Sequence, residues 1–260
     1  MKRTFFALLT VSMSLSLAAC GAPSDEENAD ITADSSDDTS STTALLTMAA
    51  EPAETAMTPE AAAVTVSNSA PRYLFPAGCA TATASGNVVT YQINNCTGPH
   101  GLVNLNGTLT ATYSDRTANG WTVRLTGDVR ANSAQLRPDA TAVVTYTNGV
   151  RTANVSVRGS GTGRRGVQYT RSGMYTTTWD GNCVSVNGAV STTANGVTGT
   201  VTATSYRRCR GQCPAAGSQV SFSGPNGSVS VSFSGAASAT FTGSRGRSVT
   251  VALFCSPATS

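Results

Sequence analysis

The chain has 260 residues, of which 40% are hydrophobic, 12% charged and 6% aromatic. The charged share is about half the usual one, and serine, threonine and 25 glycines replace it, which argues against a coiled coil or a helix bundle. A net charge of +3 beside that hydrophobic content argues against wholesale disorder, and a single histidine offers little to acid–base catalysis.

Residues 1–19 read as an export signal. Lys2 and Arg3 form the positive start, and Phe5 to Leu17 forms an apolar core too short to span a bilayer with margin. The core ends in Leu17-Ala18-Ala19-Cys20, which resembles the lipobox of bacterial lipoproteins. The resemblance covers about 20 residues of the chain and implies a diacylglycerol thioether on Cys20, with cleavage before it. It also implies acylation of the new amino terminus, and two or three acyl chains hold a membrane far better than one. Gly21, in place of an aspartate, resembles the pattern of lipoproteins sent to the outer membrane. The expected location is therefore the outer membrane, lipid-anchored, on its periplasmic face or at the cell surface.

Residues 20–70 read as a disordered tether. They carry ten acids and no base, among Ser, Thr, Ala and Pro, and cannot bury enough apolar surface to fold alone. Thr58-Pro59-Glu60 ahead of Ala61–Ala63 has the cap and first-turn residues of one short helix. From residue 71 to 260 the charge reverses. Fifteen arginines against Asp115, Asp128, Asp139 and Asp180 leave this part eleven positive, facing a tether ten negative. Such a split allows the tether to fold back over its own domain, and a GC-rich genome gives the same arginine bias with no function attached.

After residue 78 the hydrophobic period is two. Trp121, Val123, Leu125, Val129 and Ala131 alternate with Thr122, Arg124, Thr126, Asp128 and Arg130, as in a half-buried strand. The same alternation runs through Leu109–Tyr113, Val184–Val190, Val197–Ala203, Val229–Phe233 and Val249–Leu253. Asn119-Gly120, Asn148-Gly149, Asp180-Gly181, Asn195-Gly196 and Asn226-Gly227 divide the runs as hairpin turns. The expected fold is all-β: an antiparallel meander of about ten to thirteen strands, closing into a sandwich or barrel-like sheet. An apolar-x-apolar-x-Gly pattern recurs, as in Val103–Gly107, Val123–Gly127 and Val184–Gly188. Its glycines fall on the apolar face, where they permit sharp bends. A transmembrane barrel would instead need large residues and aromatic girdles on that face.

Setting Cys20 aside, six cysteines remain: Cys79, Cys96, Cys183, Cys209, Cys213 and Cys255. An even number in an exported chain implies disulfides. A hairpin centred on Asn195-Gly196 puts Cys183 opposite Cys209, and Cys79 and Cys96 flank the Ser85-Gly86-Asn87 turn. Cys213 is left with Cys255; Cys209–Cys213 with Cys183–Cys255 is the alternative. A zinc site lacks the Cys-x-x-Cys spacing, so no metal is expected.

Catalytic patterns are not apparent. His100 lies in a loop, no Gly-x-Ser-x-Gly elbow occurs, and Gly159–Gly163 has neither the lysine nor the helix of a phosphate loop. No enzymatic activity and no cofactor are expected. Asp115, Asp128, Asp139 and Asp180 could supply paired carboxylates, but Asp115 and Asp180 read as turn residues and Asp128 sits between Arg124 and Arg130 on a polar strand face. One constellation remains, the polar strand sides bearing Thr122, Arg124, Thr126, Arg130, Ser156 and Arg158. Arginine forks suit carboxylate, sulfate or phosphate, so Arg124, Arg130 and Arg158 are candidate ligands for an acidic polysaccharide, lipopolysaccharide phosphates or the tether itself. A regular threonine array also suits ordered water, and threonine is in any case a good strand former. Location and the lack of aromatics on the arginine faces disfavour nucleic acid. Two function classes stay open: a structural or interaction lipoprotein of the cell envelope, and a binding module for anionic glycans. Oligomeric state is left open.

Overall fold

The computed structural model describes Leu46, Ala49, Cys255 and residues 56–69, 74–97, 104–117, 119–131, 134–163, 166–209, 211–225, 227–243 and 246–253. The signal, Cys20 and most of the tether lie outside them. Among the described residues a helix, α1 (Pro59–Ser69), precedes thirteen strands. These are β1 (Ala80–Ser85), β2 (Val88–Thr97), β3 (Asn104–Thr117), β4 (Gly120–Ala131), β5 (Ala134–Thr147), β6 (Val150–Thr162), β7 (Gln168–Asp180), β8 (Cys183–Ala194), β9 (Val197–Cys209), β10 (Gln219–Gly224), β11 (Gly227–Phe233), β12 (Ser238–Gly243) and β13 (Ser248–Ala252). Each pairs antiparallel with its sequence neighbours in one sheet. The expected meander is therefore present at the upper end of its strand count.

Closure is where the expectation changes. The order runs from β1 to β13 without a ladder joining the two. Parity explains this. In an antiparallel meander the first and thirteenth strands run the same way, so a closing ladder would have to be parallel and without the matched geometry of the rest. The sheet stays open, and its apolar face must be covered by curvature and by filler.

Alternation sets that face. Val89, Tyr91, Leu105, Leu109, Ala111, Tyr113, Trp121, Val123, Leu125, Val144, Val155, Trp179, Val184 and Val190 are all buried on the inward side. Tyr113 meets Trp121 edge to face, with centroids 6.5 Å apart. Burial raises the Tyr91 and Tyr113 hydroxyls well above the usual phenol range, which keeps them protonated. Tyr113 donates to the Ala49 carbonyl at 2.6 Å.

That bond ties part of the segment before residue 71 to the sheet. Leu46, Ala49, Ala56, Ala62, Ala63 and Val66 are buried with the sheet's core, so this part of the segment read as tether is packed. Its apolar residues are too few to fold alone, but an inward face that cannot close on itself gives them a surface to fill. The helix forms as its start signal implies: Thr58 Oγ1 accepts from Ala61 N–H at 3.2 Å, and Pro59 opens the first turn. It lies against β1, β2 and β3. Arg116 Nε holds the Ala56 carbonyl at 3.2 Å, at the end of β3. Phe75 pairs with Thr97, at the end of β2 and hence at the opposite rim. The segment thus runs from one rim to the other.

The glycines on the inward face make the coiling possible. A Cβ on Gly188 would lie 2.5 Å from the Met174 carbonyl oxygen and 2.5 Å from Tyr175 Cα, at a φ of +139°. At Gly107, φ is +125° and a Cβ would sit 3.0 Å from Val129 Cα. Both glycines follow an asparagine at a register shift. Asn106 Oδ1 accepts from Asn95 N–H at 2.6 Å, and Asn187 Oδ1 accepts from Ser205 N–H at 2.6 Å. Asn95 and Ser205 adopt φ of 53° and 49°, the left-handed signature of a bulge. The same Asn-Gly pair therefore serves a tight turn at Asn148-Gly149 and Asn195-Gly196, and a bulge at Asn106-Gly107 and Asn187-Gly188. Three of the expected turns shift by one residue. Asp180 still pairs with Cys183, Gly120 with Thr117 and Gly227 with Gly224, so each of these three belongs to its strand.

Three disulfides join Cys79–Cys96, Cys183–Cys209 and Cys213–Cys255, the favoured pairing. Cys183 and Cys209 are direct cross-strand partners.

Two outcomes test this account. Gly188→Ala should destabilise the domain by about 3 kcal/mol through strain and overpacking. Gly243→Ala, whose new Cβ would have its nearest neighbour 3.9 Å away, should stay within about 0.5 kcal/mol. Urea unfolding midpoints of the two variants measure both. Among the disulfides, Cys213–Cys255 spans 42 residues against 17 and 26 for the others. Chain entropy assigns it about 4 kcal/mol and the shortest about 3. A Cys213→Ser/Cys255→Ser double variant should lower the midpoint more than the equivalent change at Cys79 and Cys96.

Candidate functional site

The outward face of β4, β5 and β6 carries the charged residues, because the two-residue period that buries Val123, Leu125, Ala140 and Val157 turns their neighbours outward. Register then decides who meets whom. Arg124 lies opposite Thr141, which lies opposite Ser156. One row along, Asp139 lies opposite Arg158. These five residues line an open groove of about 270 Å³.

Within it Arg124 and Asp139 make a forked pair. Nε reaches Oδ1 at 3.0 Å and Nη2 reaches Oδ2 at 3.2 Å. The hydrogen bond to Asp139, and then its charge, raises the guanidinium above its ordinary value. Both side chains are about half exposed, so solvent screens the pair and it adds little to stability. Its consequence is electrostatic: the Arg124 fork is already occupied by a carboxylate. Arg158 is in no ion pair among the described residues. The groove therefore presents one uncompensated guanidinium beside the hydroxyls of Thr141 and Ser156, a set that suits one sulfate or carboxylate group.

Of the three candidate arginines, the structure brings Arg124 and Arg158 into one groove and leaves Arg130 outside it. Arg130 is six residues along β4 from Arg124, roughly 20 Å at strand rise. Its register partners are Asn106 and Gln135. There the side chains form an amide cluster. Asn104 Nδ2 donates to Asn95 Oδ1 at 2.8 Å, and Asn106 Nδ2 donates to Asn104 Oδ1 at 3.2 Å.

Asp128 is held by Arg137 at 3.7 Å and accepts from Gln135. Asp180 is held by Arg207 at 3.2 Å. Among the described residues these two and Asp139 are each arginine-bound. Asp115 has φ of 44° at the shift between Ser114 and Thr117. Cys20, His100 and Arg164-Arg165 lie outside the described residues.

Elsewhere the outward hydroxyls satisfy one another. Ser191 pairs with Thr200 at 2.9 Å, Thr193 with Thr198 at 2.8 Å and Thr242 with Ser248 at 2.9 Å. Such cross-strand pairs support the sheet, in keeping with threonine as a strand former.

Sequence reasoning missed Asp139 and Thr141 as groove residues. The signal was present: the turn at Asn148-Gly149 fixes the β5–β6 register, and counting outward from it sets Asp139 against Arg158 and Thr141 against Ser156.

No protein family, curated protein or solved structure matches this chain.

The groove makes a prediction of unusual sign. Asp139→Asn frees the Arg124 fork and should raise the salt concentration needed to elute the protein from heparin, whereas Arg158→Ala should lower it. The elution difference between these two variants checks the assignment.

Proposed function

We propose that this protein is a lipid-anchored protein of the bacterial cell envelope, of structural or interaction type and without chemistry of its own. The lipobox ending at Cys20 carries the reading. The three disulfides support it, because such bonds persist in exported proteins and are rare in the reducing cytosol. In this reading the export signal is removed before Cys20, acyl chains hold the mature chain to the outer membrane, and the acidic stretch after Gly21 sets the domain away from the lipid surface. The domain then offers its outward sheet face to the surroundings.

A second reading is favoured by one observation, the groove in which Arg158, without an ion-pair partner among the described residues, stands beside Thr141 and Ser156. Here the domain binds anionic glycans or the phosphates of lipopolysaccharide. Contacts of this exposed kind are individually weak and are screened within about 8 Å at physiological salt, so affinity would come from several along a polymer. Retention of wild type and Arg158→Ala on heparin and on immobilised lipopolysaccharide separates the two readings.

The anchor itself is tested by Cys20→Ala. Wild type should partition into the detergent phase of a cloud-point extraction and carry label from a fatty-acid precursor. The variant should lose the label and either move to the aqueous phase or remain as uncleaved precursor. Unchanged labelling and partitioning would overturn the reading.

A further inference from the structure

The open sheet ends on β13, and among the described residues no strand pairs with its outer edge. Its sequence, Ser248-Val-Thr-Val-Ala252, holds neither a charge nor a proline, the devices that usually blunt an edge. The apolar face is also incompletely covered there: Val249 is 47% and Val229 39% exposed, although both lie on the inward side.

Backbone polarity at this edge is readable. Gly243 N–H donates to the Arg247 carbonyl at 2.9 Å and Leu253 N–H to the Ala237 carbonyl at 2.8 Å. In the β12–β13 register Gly243 and Arg247 are partners, as are Ala237 and Leu253 by extension. Hydrogen-bonded pairs alternate along an antiparallel ladder. Val249 and Val251 therefore point their backbone groups at β12, while Ser248, Thr250 and Ala252 point theirs outward.

Geometry limits what can extend such an edge. A neighbour that keeps the apolar side inward and pairs antiparallel must be related by a rotation about the sheet normal. Applied to a second copy of this chain, that rotation brings β13 against β13. Bringing β1 of a second copy to the same edge gives a parallel pair. The β13 sequence suits the first case. Centred on Thr250, Thr250 meets its own copy, Ser248 meets Ala252, and Val249 meets Val251 on the inward side, so alternation is kept throughout.

We propose that β13 is a self-association edge, through which two copies of this chain join into one continuous antiparallel sheet about a two-fold axis at Thr250. About six backbone hydrogen bonds cross the junction, and Val249 and Val251 gain apolar neighbours. The inference does not depend on the anchor or on the arginine groove.

The test uses the full-length protein. Thr250→Cys places two thiols across the axis, about 5.5 Å apart at Cα, within the range a disulfide spans. In cells it should give a dimer on non-reducing gels that reductant dissolves. Thr240→Cys, one strand further in, places its pair about 14 Å apart and should cross-link roughly tenfold less. Thr250→Pro removes an N–H that β12 does not use, a position where an edge strand tolerates proline. It should shift the purified chain from dimer to monomer in sedimentation. Thr250→Lys, which sets two ammonium groups face to face on the solvent side, should do the same even if the proline variant fails to fold. A wild-type chain that sediments as a monomer at every concentration tested overturns the proposal. So does cross-linking at position 240 equal to that at position 250.

Discussion

A sheet with one apolar face and thirteen strands has to hide that face, and almost everything else in this molecule follows from how it does so. The strands cannot close on themselves antiparallel, because their number is odd. They coil instead, and coiling brings the backbone of one strand over the inward face of the next. At Gly188 and Gly173 the neighbouring strand occupies the space a Cβ would need: Tyr175 Cα lies 2.5 Å and Val190 Cα 2.6 Å from those points. Side chains are thus excluded at these two points. The remaining volume is filled from the N-terminal side, by α1 and by Leu46 and Ala49. The bulges at Asn95 and Ser205 add bend at two further places.

This solution is uneven along the chain. Strands β3 to β9 run 12 to 14 residues and supply most of the buried side chains, whereas β10 to β13 run 5 to 7. Beyond Val201 the buried hydrophobic residues, among those described, are Cys213, Phe222 and Ala239. Hydrophobic burial alone holds the last four strands weakly, and a covalent bond takes over: Cys213–Cys255 ties the chain beyond β13 back to the segment between β9 and β10. Phe222 helps by lying where Gly199 leaves room for its ring.

Much of this was legible in the sequence because a period of two has only one structural reading over so many turns. The strands, their antiparallel order and the cysteine pairing came from alternation and from counting out of the Asn195-Gly196 turn. The filler was not legible. Residues 46 to 66 look too polar and too acidic to fold, and they do need the sheet's inward face before Leu46, Ala62 and Val66 have anything to pack on. Asn-Gly has two uses here. At Asn106 and Asn187 the asparagine side chain accepts an N–H from the adjacent strand, so the pair bends a strand it would elsewhere terminate. The candidate site was half legible. The arginines were visible as an outward set, but only the exact pairing of β4, β5 and β6 shows that Asp139 occupies Arg124 and that Arg130 stands apart.

The charge distribution acquires a structural meaning from this arrangement. Among the described residues, what docks of the segment is apolar side chains, two carbonyls and one sulfur: Ala49 accepts from Tyr113, and Ala56 and the Met57 sulfur from Arg116. The arginines also serve other demands. Arg116 and Arg151 stand over Trp121 and Trp179 at 5.6 Å and 5.5 Å, roofing the two largest inward side chains at one rim. Arg124, Arg137 and Arg207 each neutralise an aspartate on the outward face. Once these assignments are made, the outward face keeps its excess of positive charge in a few places, and Arg158, flanked by hydroxyls in a groove, is one of them. A net charge read from composition spreads evenly over a domain; the register of three strands places part of it at Arg158, between two hydroxyls.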